Sequence, residues 1–110
     1  MAEPTHTIFT NMQEMITEIQ PDSILSRTVF SSDRLKVILF GFAEGQELSE
    51  HTSSKQAILH FLEGKARLVL GKDEYDAGPG TWVRMDPNLP HSVFARSRVT
   101  MLLIMLEDPD

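Results

Sequence analysis

The chain contains no cysteine, which removes disulfides, thiolate metal sites and a cysteine nucleophile, and fits a reducing cytoplasm. It has no basic run either. Ten lysines and arginines are scattered among sixteen acidic residues for a net charge of −6. A phosphate backbone or an anionic membrane would be repelled on average, so neither nucleic acid nor a membrane is expected as a partner. Long apolar runs are missing. The longest, Met101 to Leu106, falls far short of the roughly 20 residues a membrane helix needs. The opening residues, Met1-Ala2-Glu3-Pro4-Thr5-His6, lack the basic start and apolar stretch of a secretory signal, so a soluble cytoplasmic protein is expected. Gly78-Pro79-Gly80 precedes a strand-like segment, not a helix, and is no phosphate loop. No serine sits in a nucleophile elbow, which leaves covalent catalysis little to work with.

What the chain does have is enough apolar material for one core. With 110 residues, 41% of them hydrophobic, a single domain spanning residues 1–110 is expected. Asn11 followed by Met12, Met15, Ile16 and Ile19 spaces apolar side chains as on one helix face behind a good N-cap, predicting a short amphipathic helix over about residues 11–19. Pro21 ends it. The rest reads as strands over residues 24–30, 35–42, 47–53, 57–62, 66–70, 74–76, 81–85, 91–95 and 99–106. Turn-forming residues separate them, as at Ser31-Ser32-Asp33, Gly71-Lys72-Asp73 and Gly78-Pro79-Gly80. The fold class is therefore all-β, a sandwich or barrel. The first few residues and those from Glu107 to Asp110 read as loose ends.

Alternation separates the faces of the strand over residues 57–62. Ala57, Leu59 and Phe61 share one face; Ile58, His60 and Leu62 share the other. Both faces are mostly apolar and both need cover, which one short helix cannot supply. A homodimer burying part of the outer sheet face is expected. His60 then belongs to packing or to that interface, and Trp82 to packing.

Two segments carry the chemistry. In the first, residues 45–64, Gly45 is followed after five residues by His51, then by Ser53 and Ala57, and ends on Gly64. In the second, residues 80–95, Gly80 leads through Asp86, Pro87 and Asn88 to His91 and Ala95. Their order and spacing resemble the two motifs of the cupin superfamily, and the resemblance covers residues 35–106. It implies a double-stranded β-helix, or jelly-roll barrel, of the small single-domain kind. In that family pattern two histidines and a glutamate of the first motif and one histidine of the second converge on a metal. Here the second histidine position is Ser53, the glutamate position is Ala57, and His51 and His91 remain. Asn88 stands at a turn glycine, where asparagine tolerates the left-handed conformation.

The candidate site is thus His51 and His91, as catalytic residues or as ligands of a divalent ion such as Fe, Mn, Ni or Zn, with Ser53, Ala57, Leu59, Phe61, Met85 and Phe42 lining the pocket. Phe40, Leu68, Phe94 and Met101 are further lining candidates. Glu47 shares the parity of His51 but lies about 13 Å along the strand, too far to join the same ion. The expected function is binding of a small, partly apolar molecule. Turnover would use an ion as Lewis acid, or a histidine as general base in isomerisation or decarboxylation. A metal-free ligand-binding or sensor module and a purely structural dimer are the alternatives.

Overall fold

A computed structural model describes residues 5–107, and the expected loose ends at residues 1–4 and 108–110 lie outside them. Nine strands follow a single 3-10 turn: β1 (Ile24–Ser31), β2 (Leu35–Phe42), β3 (Glu47–His51), β4 (Ala57–Glu63), β5 (Ala66–Leu70), β6 (Asp73–Ala77), β7 (Trp82–Met85), β8 (His91–Ala95) and β9 (Val99–Leu106). They form a five-stranded sheet, β1-β2-β9-β4-β7, and a four-stranded sheet, β3-β8-β5-β6. Every pairing is antiparallel. Only β1–β2 and β5–β6 are successive strands that pair; the other connections cross between sheets, which is how a jelly roll closes round one core.

That core lies between the sheets. Phe42, Leu59, Phe61, Leu68, Val93 and Met101 are almost fully buried in one cluster. Alternation holds on β4: Ala57, Leu59 and Phe61 are buried, while Ile58, His60 and Leu62 are half-exposed on the outer face. The bulge in β4 follows Phe61, so it leaves His60 facing out.

The amphipathic helix is not formed. Only Met12–Met15 takes a 3-10 turn; Asn11 makes no side-chain capping bond and Ile16 is already extended. So short an isolated helix is marginal in water, and a sheet face is at hand for the same side chains. Ile16 is buried, and Ile19 packs where Gly41 on β2 has no side chain. The segment is a strap. Arg98 donates to the carbonyls of Ile16 and Thr17 at 3.4 and 3.1 Å, and Arg27 to that of Met15 at 3.1 Å, which ties the strap down. Glu107 is not loose either, since its N–H donates to the Arg34 carbonyl at 2.8 Å and its carboxylate meets Lys55 Nζ at 2.6 Å.

Candidate functional site

Strand β3 lies beside β8 with His51 directly opposite His91, and opposed residues of an antiparallel pair project from one face. His91 shares that face with Val93 and Ala95, both in the core. The ring centroids are 4.1 Å apart at an interplanar angle of 57°. Two imidazoles from separate motifs therefore meet at one end of the barrel interior. His51 is exposed and His91 is 6% exposed, so the pair forms a mouth with one ring outside and one inside.

Hydrogen bonding sets both rings alike. Nδ1 of His51 lies 2.8 Å from the Ser49 carbonyl oxygen, and Nδ1 of His91 lies 2.8 Å from the Leu89 carbonyl oxygen. A carbonyl oxygen only accepts, so each Nδ1 carries its proton and each neutral ring keeps a lone pair on Nε2. Metal-binding histidines are commonly oriented by this kind of backbone partner. Burial lowers the His91 pKa below the usual 6.5; the Leu89 carbonyl opposes this, and His51 nearby adds to the lowering. His91 is thus neutral at pH 7 with its lone pair available.

A stability prediction follows from that sign. The unfolded chain binds a proton at His91 more readily than the native state, so stability should be full above about pH 6.5. It should fall as pH drops below that value and level off beneath the lowered native pKa. Urea midpoints measured from pH 7.5 to 4.5 should show this slope in the wild type and a flatter one in His91→Gln. An equal slope in both would remove His91 as its source.

The loops that close this end are joined as well. The Asn88 N–H donates to the Ser53 carbonyl at 2.6 Å, and Asn88 has φ +68°, the left-handed conformation expected of it. Ser53 Oγ accepts from the Lys55 N–H at 3.2 Å. Ala57 has no donor to offer. Among the described residues, no group of three or more His, Cys, Asp or Glu side chains is placed to share an ion. The residues present fit a metal in part, as two preset imidazoles with the remaining positions left to other donors.

The other expected lining residues divide. Ala57, Leu59, Phe61, Met85 and Phe42 face inward but are packed into the core cluster, as are Leu68 and Met101. Phe40 packs against its edge. Phe94 is a correction: it alternates with Val93 and Ala95 and faces out, with the Arg67 guanidinium 5.2 Å from its ring centroid. Glu47 is another. A β-bulge between Leu48 and His51 breaks the parity of β3, so Glu47 pairs with outward Phe94 while Leu48 pairs with inward Val93. Trp82 is 57% exposed beside His60 on the outer face, not packed within the chain. A groove of about 590 Å³ lies elsewhere, against Phe9, Met12, Val29, Phe30 and Val37. Neither it nor two smaller grooves is lined by His51 or His91. With His51 exposed, a guest can reach the pair from solvent at the mouth.

Two antiparallel sheets wound in this order, with histidines of two strands facing one another at one end, define a jelly-roll barrel of the double-stranded β-helix type. A family model described as a cupin domain matches residues 38–107, and the chain belongs to that family. Among solved structures it is similar to a cupin superfamily protein from Desulfitobacterium hafniense, at 26% identity and a TM-score of 0.83 over 96% of this chain and 94% of that one. It also resembles KdgF from a Halomonas species, at 17% identity and a TM-score of 0.75 over 94% and 96% of the two chains. A mutant of salicylate 1,2-dioxygenase from Pseudoaminobacter salicylatoxidans shares the fold at 11% identity and a TM-score of 0.71, over 74% of this chain and 26% of that one. No curated protein matches significantly.

Proposed function

We propose that this cupin binds a small, partly apolar molecule at the barrel mouth, held by His51 and His91 through a transition-metal ion. The observation that carries the reading is the matched pair of rings, 4.1 Å apart, each with Nδ1 on a backbone carbonyl and Nε2 left free. Nothing in simple packing requires both imidazoles, one exposed and one buried, to turn Nδ1 onto the carbonyl two residues earlier. The two Nε2 atoms would hold the ion, which when bound supplies a Lewis acid for an oxygen of the guest. His91 holds its lone pair by staying neutral, and the Ser49 and Leu89 carbonyls fix the ring directions. Half-buried Leu48 and Leu89, which pack against the core, give the mouth its apolar wall.

The test uses purified full-length chain. Added Zn(II), Ni(II), Mn(II) or Fe(II) is expected to raise the melting temperature of the wild type, and the rise is expected to vanish in both His51→Ala and His91→Ala. A metal-induced rise that persists in both variants sinks the reading. Stabilisation by small carboxylic acids without any metal would favour the metal-free binding module instead.

The same reading includes a homodimer through the outer face of the five-stranded sheet. Val37, Ile104 and Ile58 form one row across β2, β9 and β4, and Leu102, His60 and Trp82 another across β9, β4 and β7. The first row runs on to Arg84 of β7, which is paired with Asp86 at 2.7 Å, so on a chain of net charge −6 the apolar part of this face is what can meet its own copy. Ile104→Lys is expected to turn a dimer into a monomer in sedimentation equilibrium with its circular dichroism unchanged. A wild type that sediments as a monomer ends this part.

A further inference from the structure

Trp82, the single tryptophan, is left largely uncovered by its own chain. It stands on β7 at one edge of the five-stranded sheet, 57% exposed, with His60 and then Leu102 beside it across the outer face. The groove of about 590 Å³ lies at the opposite edge of the same face. Val29, Phe30 and Val37 of the β1–β2 hairpin line it together with Phe9 and Met12 of the amino-terminal segment. One face thus carries an aromatic knob at one edge and an apolar hollow at the other.

Strand order decides how a second copy would meet them. In the order β1-β2-β9-β4-β7 the central strand is β9, and a closed dimer is built on a two-fold axis that makes one patch serve both copies. With that axis along β9, in the plane between two such faces, β7 of one copy comes to lie over β1 and β2 of the other. Trp82 then stands above the partner's groove, and the contact is made twice. The row of Trp82 runs through Leu102 to Leu39 on β2, and the next row runs through Ile104 to Val37. The two rows are about 7 Å apart along the strands, on the scale of one indole side chain. Leu39 is already fully buried, so the groove beside it is where an inserted ring finds room.

Area and charge favour the same arrangement. Five strands about 4.8 Å apart, the longer ones of eight residues at about 3.3 Å each, give the face a footprint of roughly 600 Å². Ile16 and Ile19 already occupy part of it at Gly41. A stable interface needs about 800 Å² per partner, and a seated tryptophan buries about 150–250 Å². On a chain of net charge −6, the groove has no acidic side chain among its described lining residues, and His60 and Leu102 bring none to Trp82. We propose that Trp82 of each protomer is seated in the partner's groove, between the amino-terminal segment and the β1–β2 hairpin, and that this reciprocal contact anchors a homodimer. It deepens the dimer reading above and rests on it.

A sole tryptophan reports its own burial, so the experiment follows fluorescence of the full chain from high to low protein concentration, beside sedimentation equilibrium on the same samples. In the wild-type dimer the emission is expected to be blue-shifted and poorly quenched by acrylamide. On dilution the emission should move to the red and quenching rise, in step with dissociation. Trp82→Ala and Phe9→Asp alter surface side chains and should keep the wild-type circular dichroism. Each should weaken the dimer at least about tenfold. In Phe9→Asp, where the probe is intact, Trp82 should remain quenchable at concentrations that bury it in the wild type. A dimer that Ile104→Lys breaks but whose Trp82 stays as quenchable as in the monomer overturns the insertion and keeps the face-to-face reading. Dimerisation of Trp82→Ala or Phe9→Asp with wild-type affinity overturns the insertion as well. A wild type that is monomeric at every concentration overturns both.

Discussion

Gly64→Ala is expected to be among the most destabilising single substitutions in the chain, costing about 2–5 kcal/mol. Gly64 ends β4's turn at φ +89°, and a Cβ built there would overlap the Arg98 carbonyl oxygen and lie 2.9 Å from both the Arg98 carbonyl carbon and Val99 Cα. Those are backbone atoms at the start of β9, which pairs with β2 and β4 at the centre of the larger sheet. They cannot swing aside as a side-chain tip could. The left-handed backbone costs a non-glycine residue roughly 1–2 kcal/mol, and forced overlap in a packed region adds about 1–3 kcal/mol. Together these approach the low end of a domain's whole stability, about 5 kcal/mol. Gly45→Ala provides the control. It has φ +86° with nothing within 4 Å of the added atom, so it should lose only the conformational part. Urea unfolding followed by circular dichroism decides between them, and equal losses in both variants would refute the overlap argument.

Phe61→Ala should produce the largest loss among simple truncations of the core. Its ring is fully buried, opposite Met101 on β9, in the cluster that both sheets share. Removing a buried ring and leaving a cavity costs about 3–5 kcal/mol, depending on how far the neighbours relax. The urea midpoint should fall sharply with the slope of the transition unchanged. A loss below about 1.5 kcal/mol, the scale of a volume-conserving swap, would mean that the interior is not packed as described.

Much of the fold was legible because strands and their turns are local events. Alternation on β4 separated buried Ala57, Leu59 and Phe61 from outward His60, and the left-handed turn at Asn88 was readable from the residue type alone. The misreadings have a common cause. Residues 12–19 carry helical spacing, but a docking surface on β2 with Gly41 as a notch takes the same apolar side chains in an extended strap. Periodicity reports which side chains want burial, not which partner is available. Glu47 was assigned to the wrong face since parity counts assume a regular strand, and the bulge before His51 shifts it by one. Phe94 stands with Ser92 on the outward side of β8, between buried Val93 and Ala95, so it does not line the pocket that the resemblance suggests for it.

The chain's order of residues by itself determined the strand and turn sequence and the two histidine-bearing motifs, together with the loss of the usual second histidine and glutamate at Ser53 and Ala57. Those depend on chemistry within a few residues of backbone. Only the tertiary structure decided that the two imidazoles meet at 4.1 Å with both Nδ1 atoms on carbonyls, that one ring is exposed and the other buried, and that Met85 and Met105 flank Ala57. Each of these depends on strand register across distant segments, and register is set by how two whole sheets bury their faces against one another.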